Sequence, residues 1–170
     1  TVLVVGATGF IGRHAAERLA ETGFQVISTS RSEHSDFTCD LLDPETIGKV
    51  LDRARPDAIL VTAGNSSVGS AWDDPDGNFQ TNTTGTFNLL EAVRRQTPST
   101  KVTLVSSAGV YGPPESPEDL PFTEASPVRP ASPYGASKAA VEVFAGQYAR
   151  GYGLKVAIAR AFNQLGPGQS

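Results

Sequence analysis

Cysteine, histidine and long apolar runs are all scarce in this sequence of 170 residues. The single cysteine, Cys39, excludes an internal disulfide and fits a reducing cytoplasm, and we expect it to fill a small space in the core. His14 and His34 have no second histidine or cysteine at ligand spacing, so both are interpreted as surface residues and no metal site is predicted. No apolar run approaches the roughly 18 residues that span a bilayer, and no signal peptide precedes the first one. A cytoplasmic protein without a membrane anchor is therefore predicted.

Basic residues are also in the minority, with 14 Lys and Arg against 18 Asp and Glu and a net charge of −4. Proteins that bind nucleic acid usually carry a basic stripe, so nucleic acid is not an expected partner. The length suits one domain with a sizeable core. The chain opens within an apolar run and stops shortly after another, so we expect it to be part of a longer protein.

Short apolar runs alternate with helical patterns along the chain. The run Val2–Val5 is continuous, as is typical of a strand covered on both faces, and further strands are predicted at 24–29, 37–39, 58–62, 102–106 and 156–161. Helices are predicted at 11–21, 44–53, 79–96 and 133–150, two of them starting at the N-cap pairs Asp43-Pro44 and Ser132-Pro133. The alternation predicts an α/β fold with a doubly wound, mostly parallel sheet and helices on both faces.

Two helices carry apolar positions that are expected to face the core. In helix 11–21 these are Ile11, Ala15, Ala16 and Leu19, and in helix 133–150 they are Ala136, Ala139, Ala140, Val143 and Phe144. The irregular stretch 109–131 holds six prolines. A loop of this length inside a compact domain is usually functional or mobile.

Three glycines, Gly6, Gly9 and Gly12, stand where the first strand turns into the first helix. Without a Cβ, such a turn lets backbone N–H groups at the helix N-terminus approach a pyrophosphate. A glycine motif alone could be merely a tight turn. The strand–turn–helix context favours a dinucleotide.

The end of the second strand reads "STSRS" and lacks the acidic residue that usually holds the ribose 2′-hydroxyl of NAD. Arg31 could instead contact a 2′-phosphate in bidentate fashion, and Arg13 is within plausible reach of the same group. Either arginine taken singly could be a solvated surface charge. Together they favour NADP(H), with NAD(H) left open, and Asp40 and Leu41 would lie beside the adenine.

Tyr134 and Lys138 stand four residues apart on one face of helix 133–150. A phenol is a poor proton donor at neutral pH, and a lysine cation one turn away stabilises its ionised form. An ordinary surface pair is the alternative. Ser106 and Ser107 lie at the carboxyl end of a neighbouring strand, where such sheets bind ligands. Their presence there favours a catalytic role for Tyr134 and Lys138 over an ordinary surface pair.

With six motifs in order, the chain resembles the extended short-chain dehydrogenases/reductases that modify nucleotide sugars, the NAD-dependent epimerase/dehydratase family. The motifs are G-A-T-G-F-I-G (6–12), C-D-L-L-D (39–43), N-T-T-G-T (82–86), S-S-A-G-V-Y-G (106–112), Y-G-A-S-K (134–138) and R-A-F-N-Q-L-G-P-G-Q (160–169). "VTAGNSS" departs from the usual Ala-Ala after the fourth strand, where only backbone is needed. The resemblance implies a Rossmann-type domain over residues 1–170, with the family's small C-terminal substrate domain absent from this chain.

The resemblance also implies roles for individual residues. The catalytic set it implies is Ser107, Tyr134 and Lys138, and Ser107 and Asn163 would meet the substrate. The cofactor would contact Gly6, Thr8, Gly9, Phe10, Ile11, Gly12, Arg13, Arg31, Asp40, Leu41, Val61, Ala63, Gly64, Asn82, Tyr134, Lys138 and Ala161. The family further implies a homodimer in which helices 79–96 and 133–150 pair across a two-fold axis.

The implied reaction is hydride transfer to a keto group of a nucleotide-sugar substrate. Ala108 and Gly109 follow Ser107 where a 4,6-dehydratase needs an acid, so elimination is not expected. The stretches 65–93 and 159–170 look most like GDP-4-keto-6-deoxymannose reductases, which would make a deoxyhexose such as GDP-rhamnose with NADPH. An NAD-dependent nucleotide-sugar 4-epimerase remains an alternative, as does a non-catalytic NADP-sensing regulator.

Overall fold

The computed structural model describes residues 1–169, which form one parallel sheet of six strands with helices packed on it. The strands are β1 (Val2–Val5), β2 (Val26–Ser30), β3 (Phe37–Thr38), β4 (Ala58–Val61), β5 (Lys101–Ser107) and β6 (Lys155–Ala161). Their order across the sheet is β3-β2-β1-β4-β5-β6. This is the doubly wound order of dinucleotide-binding folds, so the predicted fold class is confirmed.

The helices are α1 (Phe10–Glu21), α2 (Pro44–Ala54), α3 (Val68–Asp73), α4 (Pro75–Phe79), α5 (Gly85–Gln96) and α6 (Pro133–Tyr152). Both predicted N-caps are confirmed. The Asp43 carboxylate accepts a hydrogen bond from the Glu45 N–H at 2.9 Å, and the Ser132 hydroxyl accepts one from the Gly135 N–H at 3.1 Å. Each cap satisfies an N–H group that the helix itself leaves unpaired. Within the described residues no helix is both long and apolar enough to cross a membrane.

The core lies on both faces of the central strands. All four residues of β1 are buried, as the continuous apolar run predicts. On one face, Val102 and Leu104 of β5 join a cluster with residues of α2, α5 and α6. Cys39 belongs to this cluster, as expected, while His34 is exposed and His14 keeps a largely accessible side chain. The helices thereby cover both faces of the sheet and leave the strand ends free to carry a site.

The helix predicted at 79–96 begins earlier in the structure. α4 starts at Pro75, continues through a π-helical turn (Gln80–Thr84) and leads directly into α5. Asp74 caps it by accepting from the Gly77 N–H at 2.9 Å. The Asp-Pro pair is a helix-start signal of the same kind as Asp43-Pro44, so this boundary was readable from the sequence.

The predicted core stripe of α6 is wrong. Val143 is 70% exposed and Phe144 39% exposed, and Ala136 also faces solvent. The buried positions are Gly135, Ser137, Val141, Ala145 and Tyr148. The small members of this set let α6 approach the sheet and the π-helical turn closely, where the Thr83 hydroxyl donates to the Ser137 carbonyl at 3.0 Å. The larger apolar side chains are thereby turned outward.

Ile11 is also misassigned to the core, since it is 37% exposed. It lies in the first turn of α1, and only Gly12 of that turn is buried. The helix reaches the sheet further along, where Ala16 and Leu19 pack against β1.

Candidate active site

The carboxyl ends of β1, β2 and β4 border a cleft of about 610 Å³, a volume typical of ligand sites. It brings together nine of the residues predicted to contact a cofactor: Gly6, Thr8, Gly9, Arg31, Asp40, Leu41, Ala63 and Gly64 line it directly, and Lys138 approaches Gly64. A larger hollow of about 1310 Å³ lies at the opposite end of the strands, around Asp57 and Lys101. Because open α/β sheets bind ligands at the carboxyl ends of their strands, where the strand order reverses, we assign the site to the smaller cleft.

The glycine turn has the geometry that a close backbone approach requires. Gly6 has a positive φ of 88°, which favours glycine. A methyl group on Gly12 would overlap the Gly6 carbonyl oxygen and the Thr62 hydroxyl. Among the described residues no side chain caps α1 at Gly9, so the N–H groups of its first turn are available to an anion. The residues present therefore fit a bound pyrophosphate.

The end of β2 presents a cation to the cleft and no carboxylate. Arg31 is exposed along the wall of the cleft, and Ser30 beside it is buried. The nearby acid, Asp36, is engaged elsewhere: its carboxylate accepts from the Ser28 N–H and the Ser28 hydroxyl, both at 2.8 Å. These hydrogen bonds hold the pKa of Asp36 below its usual range. Asp36 therefore does not supply the acid that would select NAD, and Glu33, the other acid between β2 and β3, does not line the cleft.

Lys138 approaches the cleft wall from α6. Its ammonium donates to the Val105 carbonyl at 2.9 Å and would lie 3.5 Å from a Cβ on Gly64. Asn82 meets the same wall: its side chain accepts from the Asn65 N–H at 2.8 Å and donates to the Asn65 carbonyl at 3.0 Å. Asn82 thus pairs with the Asn65 backbone on both sides and fixes the turn after β4.

Ser107 and Tyr134 flank Gly109. The Ser107 hydroxyl accepts from the Gly109 N–H at 3.0 Å. A Cβ on Gly109 would lie 3.3 Å from that hydroxyl and 3.8 Å from a ring carbon of Tyr134. Because Gly109 has no side chain, there is room between Ser107 and Tyr134, the two residues predicted to take part in the chemistry.

The structure does not bring every predicted residue to the cleft. Arg13 lies 3.5 Å from the Gly168 carbonyl and does not line the cleft with Arg31. Phe10 packs edge-on against His14. The other predicted positions outside the lining are Ile11, Gly12, Val61, Asn82, Ser107, Tyr134, Lys138, Ala161 and Asn163, of which Asn82 and Lys138 approach Gly64 in the cleft wall. Within residues 1–169 no cluster of three or more His, Cys, Asp or Glu could hold a metal ion.

Several lining residues were not predicted from the sequence. They are Val5, Ser30, Cys39, Leu42, Thr62, Asn65, Ser66, Ser67, Asp74, Gly77 and Thr81. Most follow β4, next to the point where the strand order reverses. A polar N-S-S run directly after a buried strand at that point was the signal that could have identified them.

Burial lowers the pKa of Lys138 from 10.5 to about 8. Between these two values the unfolded chain binds a proton that the folded protein does not, so stability rises with pH across this window and the penalty is largest below pH 8. A full shift would cost about 3.4 kcal/mol at about 1.4 kcal/mol per unit. Part of the residue remains exposed, and Lys138→Met also removes the hydrogen bond to the Val105 carbonyl at any pH. We therefore expect the stability of the cofactor-free variant, relative to wild type, to be about 1–3 kcal/mol greater at pH 7 than at pH 10.5.

Denaturant unfolding at pH 7 and pH 10.5 measures this effect. The stability of Lys138→Met relative to wild type should fall between pH 7 and pH 10.5, and Lys155→Met, at an exposed lysine, should show no such dependence. An equal stability difference at both pH values would contradict the burial of the Lys138 charge.

The sequence profile described as the NAD dependent epimerase/dehydratase family matches residues 2–170. The chain belongs to this family, which confirms the predicted resemblance. It is 34% identical over 170 residues to the GDP-6-deoxy-D-mannose reductase of Pseudomonas aeruginosa, covering 99% of this chain and 53% of that protein. It is 36% identical over 184 residues to a dTDP-glucose 4,6-dehydratase of Mycobacterium tuberculosis, covering 99% and 54%.

Solved structures show the same range of relatives. RMD from Pseudomonas aeruginosa complexed with NADPH superimposes with a TM-score of 0.87 at 34% identity, covering 99% of this chain and 55% of that one. UDP-glucose 4-epimerase from Brucella ovis in complex with NAD gives 0.87 at 33% identity, covering 95% and 51%. The chain thus spans about half the length of these relatives. Since reductase, dehydratase and epimerase relatives match similarly, the choice of reaction rests on the residues of the site.

Proposed function

We propose that residues 1–170 form the NADP(H)-binding Rossmann domain of a reductase that acts on a nucleotide-linked 4-keto-6-deoxy sugar. The substrate expected from the sequence is GDP-4-keto-6-deoxymannose, and the product GDP-rhamnose. The observation that carries the proposal is the β2 end of the cleft, where Arg31 has no ion-pair partner within residues 1–169 and Asp36 is bonded to Ser28. A cation without an acid at this point suits a 2′-phosphate, and therefore a cofactor that is consumed as a reductant.

The proposed chemistry uses the residues around Gly109. NADPH, when bound, supplies the hydride. The Ser107 hydroxyl donates a hydrogen bond to the substrate carbonyl oxygen, and Tyr134 gives that oxygen a proton as charge develops on it. Lys138 holds its positive charge next to Gly64, where it can bind the cofactor ribose and stabilise ionised Tyr134.

Two alternatives of the same family differ at named positions. A dehydratase needs an acid after Ser107, and Ala108 and Gly109 have no group that can move a proton. A 4-epimerase is supported by the NAD complex of the Brucella ovis relative, but Arg31 in place of an acid argues against tight NAD binding. A non-catalytic NADP sensor would have no use for Ser107 and Tyr134 on either side of Gly109.

Substrate assays distinguish the reductase from the epimerase. A reductase consumes NADPH with the GDP-4-keto sugar, whereas an epimerase interconverts UDP-hexoses without added cofactor.

Arg31→Ala is expected to raise the dissociation constant for NADPH about tenfold or more and to leave that for NADH within about twofold. A hydrogen bond to a charged group contributes about 1.5–3 kcal/mol, and about 1.4 kcal/mol corresponds to tenfold. Fluorescence titration with both cofactors measures the change. Arg53→Ala, at an exposed arginine of α2, is the matched control. An unchanged NADPH preference would show that Arg31 does not contact the 2′-phosphate.

We also propose that the protein is a homodimer that pairs through α5 and α6. Phe87, Val143, Phe144 and Tyr152 form an exposed apolar surface on these helices, with the Phe87 and Phe144 rings 5.5 Å apart. Patches of this kind mark protein–protein contacts. Light scattering at micromolar concentration should show a dimer for wild type and a monomer for Val143→Asp. A monomeric wild type would contradict the proposal.

The cytoplasmic location of the protein remains a prediction from the sequence.

A further inference from the structure

Glu142 and Arg160 form a partly enclosed ion pair beside the proposed active site. The Glu142 carboxylate accepts from the Arg160 Nε at 3.1 Å and from its Nη2 at 2.7 Å. It also accepts from the Ser106 hydroxyl at 2.6 Å. The two charged side chains are 9% and 20% exposed, respectively. One carboxylate therefore joins α6 to two neighbouring strands.

The position of the pair in the fold links it to the residues of the proposed chemistry. Ser106 and Arg160 are register partners on β5 and β6. Glu142 lies one helical turn after Lys138 and two after Tyr134, on the same face of α6. The Lys138 ammonium bonds the Val105 carbonyl, one residue before Ser106. Two successive turns of α6 are thus attached to successive residues at the end of β5, immediately before Ser107.

The other side of Arg160 reaches the proline-rich segment that follows β5. Its Nη1 donates to the Tyr111 hydroxyl at 3.0 Å and to the Glu124 carbonyl at 3.1 Å. The Tyr111 ring stacks on Phe122 with centroids 4.8 Å apart. Arg160 thereby connects the segment 112–131 to the same point of the sheet.

Stability alone explains this pair poorly, because ion pairs removed from water cost much of the energy that their attraction returns. We infer that Glu142 and Arg160 are positioning residues, which fix the end of β5 against α6 so that Ser107 and Tyr134 face the same substrate oxygen. The inference rests on the proposed function. Small displacements of reacting groups are costly, since a shift of about 1 Å can lower a rate about a hundredfold.

The test compares two glutamates that make similar contacts. Glu142→Gln keeps the size of the side chain and removes its charge. Glu91→Gln is the matched control, because Glu91 accepts from Arg94, Arg95 and Tyr148 on α5 and α6, away from Ser107. We expect Glu142→Gln to lower kcat about tenfold or more with KM for NADPH within twofold, and Glu91→Gln to keep the wild-type kcat. Arg160→Lys should lose less activity than Arg160→Met. Equal kcat values in the two glutamine variants would overturn the inference.

A second measurement does not depend on the substrate. The Gly109 N–H donates to the Ser107 hydroxyl, so its hydrogen-exchange rate, measured by NMR on the intact protein, reports how Ser107 is held. Glu142→Gln and Arg160→Lys should accelerate that exchange about tenfold or more, while Glu91→Gln should not. If wild type fails to reduce the keto sugar but Gly109 responds as expected, the proposed function fails and the positioning role stands. If Gly109 exchange is unchanged in both variants, the positioning role is wrong.

Discussion

Tyr134→Phe is expected to lower turnover by about a hundredfold or more while leaving NADPH affinity nearly intact. The substitution removes only the hydroxyl, and loss of a general acid costs about 10²–10⁴ in rate. An interaction made mainly in the transition state lowers kcat without changing KM for the cofactor. The measurement is steady-state kinetics with NADPH and the keto sugar, together with a binding titration.

The control for this variant is Tyr152→Phe, at an exposed tyrosine near the end of the same helix. It should keep wild-type kinetics. Full activity in Tyr134→Phe would remove Tyr134 from the chemistry. Equal losses of turnover and of NADPH binding would instead give it a role in holding the cofactor.

Gly12→Ala is expected to weaken NADPH binding by about a hundredfold. The added methyl group would overlap the Gly6 carbonyl oxygen and the Thr62 hydroxyl. Both neighbours belong to the turn and strand end that must stay in place for the phosphates to reach the N-terminus of α1. Something in the turn therefore has to move, and the anion site moves with it. Isothermal titration with NADPH measures the loss.

Gly69→Ala is the matched control, because a Cβ there would meet no atom within 4 Å. It should bind NADPH as wild type does. Thermal unfolding of both variants separates a displaced turn from a protein that no longer folds. A folded Gly12→Ala variant with wild-type affinity would show that the glycine turn does not hold the cofactor.

Much of this fold could be predicted from the sequence because the patterns that determine it are local. The continuous run in β1 predicts burial on both faces, and the caps at Asp43 and Ser132 need only the next few residues. The glycine turn likewise lies within one strand–turn–helix segment. These features follow from backbone geometry and short-range hydrogen bonds, so sequence order is enough to locate them.

Features that depend on contacts between residues far apart in the sequence could not be predicted. The buried face of α6 is set by Gly135 and Ser137 packing closely on other elements, and a pattern of apolar residues selects the opposite face. The hydrogen bonds of Asn82 to the Asn65 backbone and of Glu142 to Arg160 form only because the sheet brings separate strands together. Arg13 is an example of a local signal that misled. Its position next to Gly12 predicts a side chain in the cleft, but the side chain lies against the Gly168 carbonyl instead.

We propose that the site transfers a hydride from NADPH to the keto carbon of a nucleotide-linked sugar, and this claim can be tested directly. The direct measurement supplies the intact protein with NADPH deuterated at the transferable position and with GDP-4-keto-6-deoxymannose, and examines the product by mass spectrometry and NMR. We predict one deuterium at C4 of the sugar for each NADPH consumed. A sugar without deuterium, together with interconversion of UDP-hexoses in the absence of added cofactor, would contradict the claim and identify an epimerase.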